Sequence, residues 1–298
     1  METGSCAAAY APLRKSPALF QSFLRPEWLA PDLLDVVKAA ELGKVHSAVR
    51  TEANGVFSLD VFSPAFCKVF LAEVDHYLES GLPIRRPNSM NNYGLIVNEI
   101  GLRPALTELQ QKVLWPISQA LFDADVASQF HRHHSFVVAY ARDKDAGLDV
   151  HTDDSDITAN ICLGDVFSGA GLTFCGTIGE SDHRQFAIRY NHAVGRAVLH
   201  LGSRRHGADD ISSGTRRNLI IWNVNDDFRQ SAAYEQRMLH YAKESSKPDP
   251  RCLSYTHDRD YSHFKKLDRD MQQANARAWC PPRSAAYDGF GENRADEE

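Results

Sequence analysis

The sequence predicts a mainly β core, built as an antiparallel sandwich or small barrel, with helices before it and a polar helical tail after it. Two observations predict this fold class. The spacing of apolar residues changes from a helical period to that of strands near residue 135. Five short segments rich in β-branched and aromatic residues then follow within about 90 residues, separated by glycines and aspartates. Strands this closely spaced favour antiparallel sheets over βαβ units.

The composition is that of a folded protein with a sizeable core. The chain has 298 residues, of which 43% are hydrophobic and 24% charged, and its formal net charge is −6. A negative balance argues against a dedicated nucleic-acid binder, although a local basic groove would be compatible with it. The six cysteines include no C-x-x-C pair, so neither a zinc site nor a disulfide scaffold is expected.

The chain shows no targeting or membrane-spanning segment that we recognise. The start, Met1 to Cys6, lacks a basic region, and no stretch approaches the roughly 18 apolar residues that a spanning helix needs. We therefore expect a cytoplasmic protein, with the nucleus as the alternative, and no membrane partner.

The N-terminal region, residues 1–130, is predicted to be helical support. One helix is indicated by apolar residues between Leu33 and Ala40. A second should begin after the N-cap Ser63, with Pro64 in its first turn, and end at Gly81. A third carries Leu106, Leu109 and Val113, and Pro116 should kink or split it.

The core is predicted over residues 131–228 and the polar helical tail over residues 229–298. The strand segments lie at 136–140, 157–163, 172–174, 197–200 and 219–222. In the tail, apolar residues from Phe264 to Ala278 recur at helical spacing and predict a strut against the core rather than a partner-binding face.

The first chemical signal is the motif His151-Thr152-Asp153, which precedes a predicted strand. On an extended chain, residues i and i+2 point to the same side, so His151 and Asp153 can face one point. An imidazole and a carboxylate are two thirds of the 2-His-1-carboxylate triad of non-haem iron(II) oxygenases. One His-x-Asp is also what chance produces in a chain of this composition, so the motif alone is a weak signal.

A second element strengthens the signal. His206 follows the strand 197–200 after a turn and can close the triad, while Arg216, ten residues further on, opens the next strand. Alternation places Arg216, Asn218, Ile220 and Trp222 on one face of that strand. A lone buried guanidinium requires an anion, and a dicarboxylate co-substrate would supply one.

Other residues compete for these roles. Asp154 and Asp156 are rival ligands, but Asp156 has the alternation parity opposite to His151. His200 is expected to be structural, and the cluster His131 to His134 is expected to be a solvated entry to a strand. Tyr140 is a candidate hydroxyl donor to the ligand of Arg216, with a core aromatic as the alternative.

In combination these motifs resemble those of prolyl 4-hydroxylase-like 2-oxoglutarate oxygenases. The chain is more closely similar to the proteins named 2-oxoglutarate and iron-dependent oxygenase domain-containing. The matching stretches are Arg86 to Gly94, Ser135 to Tyr140, His151 to Gly164, Gly195 to Trp222 and Asp288 to Gly291.

The resemblance implies a distorted double-stranded β-helix, or jelly roll, as the core. It also implies His151, Asp153 and His206 as iron(II) ligands, Arg216 as the group that binds the distal carboxylate of 2-oxoglutarate, and Tyr140 and the strand-end aromatic Trp222 beside it. O2 would be the second co-substrate and ascorbate a candidate reductant. The primary substrate would be a protein side chain, prolyl or lysyl, or a small molecule.

The sequence departs from the family pattern in two places. Cys162 stands where a second tyrosine is expected, and the cysteine-rich tail is largely replaced by the polar stretch from Asp226 to Ala278, with Cys280 as a remnant. Two other functions remain open: a catalytically inactive binding module on the same fold, and a non-oxidative cupin-type metalloprotein.

Overall fold

The computed structural model describes residues 3–245 except 89, 165, 179 and 181–185. The predicted helix from Phe264 to Ala278, Cys280 and the motif Asp288 to Gly291 lie outside the described residues. In the described part of the chain, no helix is long and apolar enough to cross a membrane.

Helices surround the core on its N-terminal side and follow it on its C-terminal side. They are α1 (Thr3–Tyr10), α2 (Leu33–Glu41), α3 (Pro64–Glu79), α4 (Arg103–Leu109), α5 (Trp115–Leu121), α6 (Ala124–Ala127), α7 (Asp226–Arg229) and α8 (Ala232–Ser245). The N-cap of α3 is formed as predicted, because the Ser63 side chain accepts a hydrogen bond from the Phe66 N–H. A π-helical segment at Gln110–Leu114 joins α4 to α5, so the third predicted helix departs from regular α-helix ahead of Pro116 but continues through it.

Twelve strands form the sheets within the described residues. They are β1 (Arg50–Ala53), β2 (Val56–Asp60), β3 (Gly94–Leu95), β4 (Arg132–Ala141), β5 (Leu148–His151), β6 (Ile157–Gly164), β7 (Phe167–Gly169), β8 (Leu172–Thr177), β9 (Ile188–Tyr190), β10 (Arg196–Leu201), β11 (Arg204–Ala208) and β12 (Ile211–Val224).

The core is a double-stranded β-helix of two antiparallel sheets. The larger sheet has the strand order β1-β2-β10-β6-β12-β4-β3, with β7 paired to β12, and the smaller has the order β5-β11-β8-β9. From β4 onward the chain passes back and forth between the two sheets, which is the winding of a jelly roll. The predicted fold class is therefore confirmed.

Alternation along β12 separates two hydrophobic cores. Leu219 and Ile221 face outward and pack with residues of α2, α3 and α4. Ile220 and Trp222 face inward, into the apolar interior between the two sheets. The inner face of β12 therefore lines the barrel, as the period-two pattern predicts.

Three strands within the first 130 residues were not predicted. The hairpin β1–β2 extends one edge of the larger sheet through pairing of β2 with β10, and β3 pairs with β4 at the other edge. The turn of the hairpin is Asn54-Gly55, with Gly55 at φ 70°. Asn-Gly is a strong two-residue hairpin signal, so the sequence did contain the information for β1 and β2.

Candidate metal centre and adjoining pocket

Two histidines face each other across neighbouring strands of the smaller sheet. His151 ends β5 and His206 lies in the middle of β11, and the antiparallel register pairs them directly. Their ring centroids are 4.4 Å apart. The sheet register alone therefore brings these two side chains, which are far apart in the sequence, to one place.

Asp153 is brought to the same point by a contact between two turns. Its backbone N–H donates to the Gly202 carbonyl at 2.9 Å, and the Gly202 N–H donates to the Asp156 carbonyl at 3.1 Å. A Cβ on Gly202 would overlap the carbonyl oxygen of Ser155, so only glycine allows this close approach. The turn after β5 and the turn after β10 are thereby held together.

The three side chains form a compact cluster. Asp153 Oδ1 lies 3.4 Å from His151 Nε2, and Asp153 Oδ2 lies 3.6 Å from His206 Nε2. One ligand atom from each of the three residues lies within 4.8 Å of the other two. The structure therefore brings together the three residues that the sequence indicated as metal ligands.

Neighbouring groups fix the orientation of two of these side chains. The Thr158 hydroxyl donates to Asp153 Oδ2 at 2.6 Å and contacts the Ser155 hydroxyl at 2.7 Å. The His206 Nδ1–H donates to the Arg204 carbonyl at 3.0 Å, which leaves Nε2 free on the side of Asp153. Hydrogen bonds of this kind set the tautomer and orientation of metal ligands. Sequence reasoning did not find Thr158.

The charges of the cluster suit a divalent cation. Burial would raise the pKa of Asp153, but the adjacent His206 and His151 outweigh burial and hold this pKa well below its usual value. Burial lowers the pKa of His206 to about 3. The carboxylate is therefore ionised and the His206 ring neutral, which are the protonation states that a metal ligand requires. Two imidazoles and a carboxylate with further positions open fit iron(II).

Arg216 lies on the inner face of β12, directly opposite Tyr140 of β4 in the register of the sheet. Its side chain is 1% exposed. The guanidinium lies 4.4 Å from the centroid of the Tyr140 ring, and its Nη1 donates to the Ala170 carbonyl at 2.5 Å. In the described part of the chain its Nε has no hydrogen-bond partner, and no carboxylate there forms an ion pair with it. Burial lowers the pKa of Arg216, but an arginine remains charged at neutral pH.

Tyr140 is oriented by a loop from the N-terminal region. The Asn91 side chain donates from Nδ2 to the Tyr140 hydroxyl oxygen at 3.0 Å. The Asn91 Oδ1 in turn accepts a hydrogen bond from Asn88 Nδ2 at 3.0 Å. Because the Tyr140 oxygen accepts from Asn91, its own proton is free to be donated to another group. The stretch Arg86 to Gly94 matched the family pattern, but the sequence did not identify Asn91 as a partner of Tyr140.

One pocket joins Arg216 to the His-Asp-His cluster. It contains about 410 Å³ of empty space, part of it open to solvent. It is lined by Asn88, Asn91, Phe136, Val138, Tyr140, Leu148, His151, Asp153, Thr158, Asn160, Leu172, His206, Ala208, Arg216, Ile220 and Trp222. All six residues singled out from the sequence therefore line the same pocket.

Trp222 forms part of the pocket wall. Its ring packs edge-on against Phe136 with a centroid separation of 5.0 Å. Its indole N–H is buried and has no hydrogen-bond partner among the residues that the structure describes. Trp222 is therefore placed to contact a molecule in the pocket.

The rival residues occupy other positions. Asp154 and Asp156 both form ion pairs with Arg229, outside the three-residue cluster. His200 is buried beside His206, with its Nδ1 donating to the Leu201 carbonyl at 2.9 Å. Cys162 is buried opposite Asn218 in the larger sheet, and Asn160, two residues before it on β6, lines the pocket instead.

A double-stranded β-helix with two histidines and a carboxylate at one interior point has the architecture of the non-haem iron(II) oxygenases, whose metal is held by such a triad. Comparison with known proteins agrees with this class. Residues 7–127 match the model of the OGFOD2-like domain.

The chain is 34% identical over 218 residues to the 2-oxoglutarate and iron-dependent oxygenase domain-containing protein ICU11 of Arabidopsis thaliana, covering 70% of this chain and 55% of that protein. It is 34% identical over 223 residues to the 2-oxoglutarate and iron-dependent oxygenase domain-containing protein 2 of Homo sapiens, covering 72% of this chain and 63% of the human protein. Over about 70% of its length the chain is therefore similar to 2-oxoglutarate and iron-dependent oxygenase domain-containing proteins.

The chain spans about 55–63% of the length of these two curated relatives. Among solved structures, a prolyl hydroxylase from Trichoplax adhaerens in complex with a hypoxia inducible factor peptide fragment aligns with a TM-score of 0.48 at 13% identity. That alignment covers 66% of this chain and 94% of the solved chain.

Proposed function

We propose that this protein is an iron(II)- and 2-oxoglutarate-dependent dioxygenase that hydroxylates its substrate and releases succinate and CO2. The observation that carries the proposal is Arg216. A guanidinium fully buried without a carboxylate partner among the described residues is costly unless an anion binds there. It lines the same pocket as the His-Asp-His cluster, so an anion held by Arg216 would extend toward the metal centre.

In this proposal, His151, Asp153 and His206 hold iron(II). The two neutral imidazoles and the single carboxylate leave a net positive charge on the site, which suits the binding of an anionic co-substrate. Bound iron(II), with 2-oxoglutarate and O2, supplies oxidative decarboxylation coupled to insertion of oxygen into a C–H bond. Ascorbate is proposed as the reductant that keeps the metal ferrous.

Arg216 and Tyr140 hold the distal carboxylate of 2-oxoglutarate. The guanidinium supplies charge and planar donors, and the Tyr140 hydroxyl supplies a further donor because Asn91 occupies its oxygen as an acceptor. Leu172, Ala208 and Val138 form apolar walls of the same pocket, which limit the access of water to the bound co-substrate.

The primary substrate is proposed to be a prolyl or lysyl side chain of a protein, or a small molecule. The motifs shared with prolyl 4-hydroxylase-like oxygenases support the first choice. This assignment rests on the resemblance of the sequence, since a fold of this kind supports many substrates.

The proposal is tested by measuring 2-oxoglutarate binding and turnover together. Anaerobic calorimetry on the Mn(II)-loaded protein should show 2-oxoglutarate binding, and the iron(II) protein should form succinate in air. Arg216→Gln should weaken 2-oxoglutarate binding by about 2 kcal/mol, the order of a lost charge-assisted hydrogen bond, with little effect on metal affinity.

Arg217→Gln is the matched control. Arg217 is the next residue on β12 but points to the opposite side, where it pairs with Asp75. The Arg217→Gln variant should bind 2-oxoglutarate with the affinity of the wild type. No binding of 2-oxoglutarate by the wild type, or equal losses in the two variants, would contradict the proposal.

A further inference from the structure

A second cavity lies beside the metal centre and has no role in the chemistry described above. It contains about 690 Å³ of empty space, part of it open to solvent. It is lined by Thr152, Asp153, Asp154, Ser155, Asp156, Ile178, Ser203, Arg229, Tyr234, Arg237 and Met238. Asp153 lines both this cavity and the pocket of Arg216, so the two spaces adjoin at a candidate metal ligand.

The positive charge of Arg229 is compensated by carboxylates that line the same cavity. Its Nη1 lies 2.9 Å from Asp154 Oδ1, and its Nε lies 3.2 Å from Asp156 Oδ2. Asp156 also accepts the Asn225 N–H at 2.7 Å. These contacts join α7 to the turn that carries Asp153, and the two carboxylates outweigh the single positive charge of Arg229.

Arg237 of α8 differs from Arg229. Its guanidinium lies 5.0 Å from the ring centroid of Phe228, which is 4% exposed. It is half-buried and forms no hydrogen bond or ion pair with any described residue. The carboxylates of Asp156 and Asp123 act on it electrostatically, without contact. A partly desolvated guanidinium with all its donors available is a site for an oxyanion.

Besides Asp153 and the hydroxyl groups of Thr152, Ser155 and Ser203, the cavity wall carries apolar side chains. Ile178 is 5% exposed, Met238 is 45% exposed, and the Tyr234 ring packs against Phe228. A molecule that placed an anionic group on Arg237 would therefore lay its apolar part along these side chains, next to Asp153.

We propose that this cavity receives the primary substrate and that Arg237 binds an oxyanion of it, a carboxylate or a phosphate. The inference rests on the proposed function, because it assigns the substrate side of the same metal centre. The substrate class is accordingly a molecule or peptide that carries an acidic group near the bond to be oxidised. 2-Oxoglutarate would be held separately, on Arg216.

The test uses inorganic phosphate and acetate as probes. Each is titrated into the full chain loaded with Mn(II) and saturating 2-oxoglutarate, and its nuclear relaxation is recorded (³¹P for phosphate, methyl ¹H for acetate). Mn(II) is paramagnetic, so a probe bound in the cavity relaxes faster because the metal is near. Saturable, Mn(II)-dependent relaxation of at least one probe is expected, and the probe that responds more strongly identifies the kind of oxyanion.

Variants locate the site. Arg237→Gln should weaken binding of the responding probe about tenfold, and Arg237→Lys should retain part of the affinity because it keeps the charge. Arg25→Gln is the matched control, since the Arg25 guanidinium also stacks on an aromatic ring, that of Trp28, at 5.1 Å, but lines neither cavity. It should bind like the wild type.

Two results would overturn the inference: no saturable relaxation of either probe in the wild type, or unchanged affinity in Arg237→Gln. Binding of Mn(II) and 2-oxoglutarate is measured in the same samples. If those fail in the wild type, the proposed function fails. Calorimetric titration of phosphate into the metal-free wild type and Arg237→Gln then still decides whether Arg237 binds an oxyanion.

Discussion

At the scale of single residues, the pocket combines the Arg216 guanidinium, which pairs with no carboxylate of the described residues, with the Tyr140 hydroxyl, whose proton Asn91 directs toward another group. Asn88 holds the Asn91 amide, Asn91 donates to Tyr140, and Tyr140 lies against Arg216. The Asn88 Oδ1 itself accepts the backbone N–H groups of Met90 and Asn91, at 2.8 and 2.7 Å. A loop distant in sequence therefore determines how Tyr140 can interact with a ligand of Arg216.

Asn91→Leu removes the donor to Tyr140. The Tyr140 proton is then no longer directed away from Asn91, and we expect the KM for 2-oxoglutarate to rise roughly three- to tenfold, since one neutral hydrogen bond contributes about 1 kcal/mol. The measurement is 2-oxoglutarate turnover by succinate formation, with anaerobic 2-oxoglutarate affinity as the second readout.

Asn92→Leu serves as the comparison for that variant. Asn92 lies in the same loop, but its side chain bonds the half-buried Asp145, with Nδ2 and Oδ1 2.8 Å apart. Its effect on 2-oxoglutarate affinity should be small. Equal effects of the two variants would show that the loop acts only as a structural cover, and the role assigned to Asn91 would be rejected.

The side of the extended chain on which each site residue lies could be predicted from the sequence. His151 and Asp153 share a side of the chain because they are two residues apart, and Arg216 shares a face with Ile220 and Trp222 for the same reason. Asn91 and Thr158 could not be predicted in this way, because their contacts depend on how separate segments meet in space.

At the scale of elements, the metal centre depends on two turns held at contact distance. Gly202, after β10, exchanges backbone hydrogen bonds with Asp153 and Asp156. Neither ligand strand supplies this contact. The position of Asp153 relative to the two histidines is thus set by a residue that carries no side chain.

Gly202→Ala should separate the two turns, because the added methyl group would overlap the Ser155 carbonyl. We expect Mn(II) affinity, measured from the electron paramagnetic resonance of free Mn(II), to fall about 10- to 100-fold, the range seen when the supports of metal ligands are disturbed. Ser203→Ala, in the same turn, removes a hydroxyl that has no partner among the described residues and should leave the affinity unchanged. Wild-type Mn(II) affinity in Gly202→Ala would show that the contact between the turns does not position Asp153.

A second element-scale contact joins α4 to β4 through a buried histidine. His133 is 6% exposed, its Nε2 lies 3.0 Å from the Thr107 hydroxyl, and its Nδ1 lies 2.7 Å from the Ser135 hydroxyl. Burial, with smaller contributions from Arg103 and His134, lowers the pKa of His133 to about 4. The folded protein therefore holds this ring neutral.

This pKa predicts a loss of stability in acid. The unfolded chain binds a proton at His133 near pH 6.5, and the folded chain only near pH 4. The free energy of unfolding is therefore unaffected by the titration of this histidine above about pH 6.5. It decreases by up to about 3 kcal/mol as the pH falls toward 4. Urea unfolding of the metal-free protein at pH 7 and pH 5 measures it. His133→Gln should show a smaller difference between the two pH values, whereas His131→Gln, at an exposed position, should behave like the wild type. An unaltered pH dependence in His133→Gln would rule out this assignment.

At the scale of the whole molecule, the double-stranded β-helix followed from local signals, but the extent of its larger sheet did not. Five strands of the barrel (β4, β6, β8, β10 and β12) contain segments rich in β-branched and aromatic residues and could be recognised from their own sequence, whereas the short strands β5, β7, β9 and β11 were not predicted. The strands β1, β2 and β3 are only two to five residues long. β1 pairs with its neighbour β2 in a hairpin, but β2 and β3 join the larger sheet by pairing with β10 and β4, far along the chain. Such long-range pairing leaves little trace in a local pattern.

The two arginines that follow Thr215 have a consequence for folding. A slip of β12 by one residue would turn Arg217 into the pocket in place of Arg216, so a cation would still be available to the co-substrate. Electrostatics therefore cannot discriminate the native register from its nearest competitor. The discrimination must come from the outer face, where Leu219 and Ile221 pack in the apolar layer beneath the helices and a slip would bring the polar Asn218 into that layer instead. The apolar outer face of β12 thus ensures that Arg216, and not Arg217, faces the pocket.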